Sequence, residues 1–145
     1  MRVFLDTNVL VSAVATRGLC ADVFREVLTS HELIVSDALL QEVKKVLHQK
    51  FKVPSSLISE FLNLLKQDTI LIKPSWSPEV TIKDKSDLII IASALSGRAD
   101  LLVTGDKELL NLGNVETLVI VSPRVFWEKV RSQTEYIASS NAFTQ

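Results

Sequence analysis

The sequence predicts an α/β fold of three layers, α/β/α, around a mainly parallel central sheet of about five strands. Three observations carry that prediction. Short, almost wholly apolar runs recur, as in Val3-Phe4-Leu5, Leu33-Ile34-Val35, Leu101-Leu102-Val103 and Leu118-Val119-Ile120-Val121; strands buried on both faces have this composition. Helical stripes separate them, and strand–helix alternation places helices on both faces of a parallel sheet. Several of the apolar runs end on a polar or acidic corner.

The first run, Val3 to Leu5, closes on Asp6-Thr7-Asn8, three residue types that favour helix entry. Strand, corner and helix follow, with Asp6 at the carboxyl end of the strand, the edge where open α/β sheets bind ligands. Thr16-Arg17-Gly18 marks a turn. Ala21, Phe24, Val27 and Leu28 repeat at helical spacing up to Ser30, and Glu32 to Val35 forms the next strand. Ser36 and Asp37 cap a third helix with a core stripe of Leu39, Leu40, Val43, Val46 and Leu47. Glu42 stands on the flank of that stripe, able to point along the sheet edge, to reach water, or to pair with Lys44 or Lys45.

Pro54-Ser55-Ser56 opens a fourth helix. Thr69 to Ile72 reads as a strand, and Ser75 to Lys83 as an irregular surface connection. Leu88 to Leu95 is β-branched enough for a strand, but its unbroken length and small Ala92, Ser93 and Ala94 favour a buried helix. Asp87 then falls in its first turn, and Gly97 is expected as a left-handed cap. Leu101 to Thr104 is a strand ending at Gly105-Asp106, ahead of a short helix over Lys107 to Leu110. Leu118 to Val121 is the last strand, with Ser122-Pro123 starting a terminal helix.

At 145 residues with 47% hydrophobic content, the chain suits one domain over residues 1–131, with a loosely ordered tail over 132–145. No apolar run approaches the roughly 20 residues of a membrane span, and Asp6 and Asn8 interrupt any signal-like start. Cys20 is the single cysteine, so no internal disulfide forms, and a cytoplasmic location is expected. A net charge of −1 advertises no nucleic-acid partner globally. Lys44, Lys45, His48, Lys50 and Lys52 form the densest basic run, read as a solvated helix face with phosphate contact as the alternative.

Asp6, Glu42, Asp87 and Asp106 can all reach one sheet edge. Clustered carboxylates repel, so protonation or a cation must relieve them. Oxygen ligands select Mg²⁺ or Mn²⁺, and the two isolated histidines with one cysteine argue against zinc. No phosphate-binding or dinucleotide glycine motif and no nucleophile elbow is present. Residue chemistry thus reaches a metal-dependent phosphoryl or phosphodiester enzyme. A receiver-like signalling domain also gathers acids, a Thr and a Lys, but neither Val35-Ser36 nor Ile72-Lys73 supplies its phosphoacceptor aspartate.

Val3 to Ala13 resembles the opening motif of PIN-domain ribonucleases. Ser36 to Val43 resembles their second motif, Asp87 to Ala94 the third, and Ala99 to Leu110 the fourth. The likeness spans about residues 2–126 with the motifs in family order, and is closest to the VapC-like prokaryotic group described as toxins of toxin–antitoxin pairs. It implies a PIN-like fold and Mg²⁺- or Mn²⁺-dependent cleavage of single-stranded RNA. The acids Asp6, Glu42, Asp87 and Asp106 would be the catalytic metal ligands, with Asp6 and Asp87 principal, and Asn8 and Thr104 would support them. Relatives carry an acid-rich run before the third motif where this chain has Asp84-Lys85-Ser86-Asp87, so Asp84 stands beside Asp87 as a supporting acid. The resemblance further implies a homodimer or higher homo-oligomer and a cognate antitoxin covering the acidic pocket. A DNA-directed or structure-specific nuclease, or a non-catalytic binding domain, remains the alternative.

Overall fold

The computed structural model describes residues 1–68, 70–72 and 85–132. Its elements run β1 (Arg2–Leu5), α1 (Thr7–Ala15), α2 (Leu19–Ser30), β2 (Glu32–Ser36), α3 (Asp37–Gln49), α4 (Ser55–Asp68) and β3 (Ile70–Ile72). Then come α5 (Lys85–Ser96), β4 (Leu101–Val103), α6 (Lys107–Leu112), β5 (Asn114–Val115), β6 (Leu118–Val121) and α7 over residues 123–132. One sheet holds the strands in the order β3-β2-β1-β4-β6-β5, parallel throughout except for β5 at its edge. This is the three-layer, mainly parallel architecture that the apolar runs predict.

The strand β1 earns its central place by composition. Val3, Phe4 and Leu5 are fully buried, and the strand pairs with β2 on one side and β4 on the other, with Phe4 opposite both Ile34 and Leu102. The chain winds outward from β1 through β2 to β3, then returns to the other side of β1 for β4 and β6. The reversal makes the β1–β4 junction the topological switch point, where the crevice outside the carboxyl ends of the strands is open to ligands. The first residues past those two ends are Asp6 and Thr104.

Polar corners start the helices as expected. Ser36 Oγ accepts from the Leu39 amide at 3.2 Å to cap α3, and Ser122 Oγ accepts from the Val125 amide at 3.1 Å to cap α7. The ambiguous run from Leu88 to Leu95 is helical, and Ile90, Ile91, Ala92, Ser93 and Ala94 bury it against the sheet.

Gly97 corrects one expectation. The left-handed residue after α5 is Arg98, at φ 56°. The Ala99 amide donates to the Ala94 carbonyl and the Arg98 amide to the Leu95 carbonyl, the paired bonds of a Schellman motif centred one residue later than the glycine suggests. Gly97 is needed for space instead, since a Cβ there would come within 2.6 Å of Ile34 Cγ2 and 2.8 Å of Ile72 Cδ1. The two-residue strand β5 also escaped the sequence, being too short to show any alternation. The connection Ser75 to Lys83 and the tail beyond residue 132 lie outside the described residues. Among the described residues, no helix is long and apolar enough to cross a membrane.

Candidate active site

Asp6 sits at the centre of the switch point. It is only 5% exposed, fixed at the carboxyl end of β1 by its own amide, which donates to the Val103 carbonyl of β4 at 2.9 Å. As the N-cap of α1, its Oδ1 accepts from the Thr7 amide at 2.8 Å. Its Oδ2 accepts from the Thr104 hydroxyl at 2.6 Å. Both carboxylate oxygens are therefore oriented, each with acceptor capacity left for a further partner.

Burial pushes the Asp6 carboxyl above its ordinary value. The bonds from Thr104 and Thr7 oppose that shift, and the charges of Glu42 and Asp106 add to it. An acid held in a dry corner, with two more acids close enough to repel it, is a site of unbalanced negative charge. That imbalance is also what a functional site looks like electrostatically.

Glu42 enters the same corner from α3. Its Oε2 accepts from the Thr7 hydroxyl at 3.0 Å, and among the described residues no salt bridge joins it to Lys44 or Lys45. Thr7 thus links the two acids, donating its amide to Asp6 and its hydroxyl to Glu42. The side chain of Thr7 is itself buried, at 3% exposure. The sequence reading gave Thr7 no role beyond helix entry. The signal was present, because a residue one past an acid-bearing strand end and on the first turn of a helix must lie against that acid.

Asp106 follows β4 and caps α6, with Oδ1 accepting from the amides of Glu108 at 2.8 Å and Leu109 at 3.4 Å. The Asp106 amide in turn donates to Thr104 Oγ at 3.0 Å. Thr104, fully buried, therefore couples Asp106 to Asp6 through a single hydroxyl. Asp87 lies in the first turn of α5, half-buried. The far end of α5 is tied to the start of β1 and β4, since Arg2 Nε donates to the Gly97 carbonyl and the Asp100 amide to the Arg2 carbonyl. A helix whose last turn meets the amino ends of the strands carries its first turn, with Asp87, toward their carboxyl edge.

The geometry brings Asp6, Glu42 and Asp106 into one electrostatic group, while Asp87 stands in the first turn of α5, the helix whose Ile89 and Ile90 face Glu42 across a small hollow. Among the described residues, no three acidic, histidine or cysteine side chains stand close enough to grip one ion. The donor chemistry nonetheless fits a hard divalent cation: carboxylate oxygens alone, mutually repelling, with buried hydroxyls behind them. Asn8 is exposed on α1 beside this corner. Asp84 lies outside the described residues. His31 is remote, at the start of β2, where its Nδ1 meets the amino terminus at 3.3 Å and burial lowers its pKa. Cys20 is half-buried with its thiol pKa raised by burial, which suits a small apolar side chain rather than a ligand.

Comparison with known proteins agrees with the geometry. The family model described as "PIN domain" matches residues 2–108. Among solved structures, the chain is similar to one in VapBC2 from Rickettsia felis bound to a DNA fragment from their promoter, at TM-score 0.60 and 15% identity, covering 84% of this chain and 98% of that one. It is similar also to one in VapBC-1 from nontypeable Haemophilus influenzae, at TM-score 0.61 and 19% identity, covering 86% and 99%. At these identities the likeness is one of fold. A comparison with curated proteins found no match.

Proposed function

The chain belongs to the PIN domain family, and on that footing we propose that it is a metal-dependent endoribonuclease cutting single-stranded RNA. The observation that carries the proposal is the buried Asp6 carboxylate at the switch point, repelled by Glu42 and Asp106 and oriented through both oxygens. Such a corner is stabilised by a cation, and an oxygen-lined site with acids from several elements suits phosphodiester hydrolysis.

Asp6, Glu42, Asp87 and Asp106 would hold Mg²⁺ or Mn²⁺. When bound, the ion would polarise the scissile phosphate, lower the pKa of the attacking water and stabilise the departing oxygen. The chain's own residues prepare the site for it. Thr104 and the Thr7 amide hold the Asp6 carboxylate in one orientation and favour its ionised form against burial. The Thr7 hydroxyl turns Glu42 toward Asp6 rather than toward water or the lysines of its own helix. The amides of α6 fix Oδ1 of Asp106. In this proposal Asn8 supports the acids from the exposed first turn of α1, and Asp84 is a further supporting acid on the motif resemblance alone.

The reading extends to biology as the toxin half of a toxin–antitoxin pair, acting in the cytoplasm as a homodimer or higher homo-oligomer. A cognate antitoxin would cover the acidic corner. The motif resemblance supports this, as does a fold shared with structures that carry the VapBC name. Side-by-side digestion of single-stranded RNA, an RNA hairpin and DNA tests the substrate. Preferential cutting of the single-stranded RNA is expected; preferential cutting of DNA or of the hairpin overturns the substrate assignment and leaves the acids in place.

A further inference from the structure

The basic run on α3 is exposed and borders a cleft. Gln41, Lys45 and His48 stand at i, i+4 and i+7 on one face of the helix, with Lys44 beside them. Together with Ser55 and Ser59 of α4 they line a cleft of about 420 Å³ between the two helices. Among the described residues, no acidic side chain lines it. Among the described residues, no salt bridge engages Lys44 or Lys45, so their charges are available to a ligand. The first turn of α4 contains no acid either, which leaves its amide end, and the favourable dipole there, unopposed at Ser55.

The cleft neighbours the acidic corner. A second hollow of about 280 Å³ lies between α3 and α5, lined by Ala38, Gln41, Glu42, Lys45, Ile89 and Ile90. Gln41 and Lys45 line both hollows, and Glu42, which lines the second, is the residue bonded to Thr7 at the active site. Along the helix axis Lys45 lies about 4.5 Å and His48 about 9 Å beyond Glu42, from a rise of about 1.5 Å per residue. A negative site and a positive trough thus stand side by side along α3, at a spacing that neighbouring phosphates on one strand can span.

We propose that the α3–α4 cleft binds the backbone phosphates of the single-stranded RNA adjoining the scissile bond, with Lys44 and Lys45 as the phosphate contacts and Gln41 and His48 as flanking donors. The inference rests on the ribonuclease reading above and adds a substrate track to it. It also accounts for how a chain of net charge −1 would hold a polyanion: the attraction is local.

The test is fluorescence anisotropy of a labelled oligouridylate with the Asp6→Asn protein, across a salt series. Single-strand binding loses about 0.7 in the slope of log K against log salt for each phosphate contact removed. Lys44→Gln with Lys45→Gln should therefore weaken binding and lower the slope by about 1.4. Lys129→Gln with Arg131→Gln, on the exposed face of α7, removes the same charge and should leave the slope unchanged. An unchanged slope in the α3 variant, or an equal fall in the α7 variant, overturns the cleft as a phosphate track. Cleavage by the wild-type protein, assayed in parallel, separates the two readings: cutting with no slope change sinks only the cleft, whereas a slope change without cutting sinks only the nuclease.

Discussion

The Thr104 hydroxyl donates to Oδ2 of Asp6 at 2.6 Å and accepts from the Asp106 amide at 3.0 Å, so one buried side chain joins the ends of β1 and β4 and two of the candidate acids. Thr104→Val keeps the shape and removes both bonds. It should destabilise the protein by about 1–3 kcal/mol, because a buried carboxylate oxygen and an amide lose their partner. The bond from Thr104 holds the Asp6 pKa down, so its loss raises that pKa further. The acid limb of the pH–rate profile should move to higher pH, and a profile that stays in place or moves to lower pH would contradict this role.

Asp6 itself should cost stability at neutral pH. Its folded-state pKa is raised above its ordinary value of 3.8, so the folded state binds the proton more tightly than the unfolded one. Its contribution is then present below the unfolded pKa and lost as pH rises through the raised folded value. Asp6→Asn retains a competent helix cap and removes the buried charge. Thermal melting without divalent ions should show a higher Tm for the variant at pH 7, with the gain shrinking as pH falls toward 3.8. Adding Mn²⁺ should raise the Tm of the wild type and not of Asp6→Asn, as binding to the folded state alone requires. Equal shifts in both proteins would remove Asp6 from the metal site.

Thr7 binds the two acids together by its amide and hydroxyl. Thr7→Val removes the bond to Glu42 and keeps the one to Asp6, at about 1–2 kcal/mol in stability. Cleavage should fall, and Thr7→Ser, which restores the hydroxyl, should recover most of it. Failure of serine to rescue, with the fold intact, would show that Glu42 needs no orientation from Thr7.

Behind the site, Gly97→Ala should destabilise by about 1–3 kcal/mol through overpacking, since Ile34 Cγ2 sits on a branched carbon and cannot swing away from the new methyl. Arg98→Gly should stabilise by about 0.5–1 kcal/mol by relieving the left-handed backbone at φ 56°. Urea unfolding of both variants measures the two effects. The opposite ordering would mean that the close approach of Ile34 and Ile72 does not require glycine at position 97.

Most of the fold was legible because its strands are apolar on both faces, a composition that leaves little alternative to a covered parallel sheet. Asp6 and Asp106 were legible for a related reason, since an acid that ends an apolar run must lie at the sheet edge. Glu42 was harder: helical angle placed it on a flank, and only the Thr7 hydroxyl decides between the sheet edge and the lysines of its own helix. The tie from Thr7 to Glu42 joins two helices 35 residues apart, which spacing does not encode, although the place of Thr7 against Asp6 was legible. The Schellman turn at Arg98 was missed because the nearby glycine drew the cap one residue early. Strand β5 carries no periodicity at all in two residues, and its edge position follows only from β6.

The most direct test of the central claim is cleavage of a labelled single-stranded RNA by the purified chain with Mn²⁺, with Mg²⁺ and with EDTA, alongside Asp6→Asn in each condition. Cutting that requires the divalent ion and disappears in the variant is the predicted result. Cutting that persists in Asp6→Asn, or that proceeds unchanged in EDTA, would contradict a metal-dependent nuclease centred on the carboxyl end of β1.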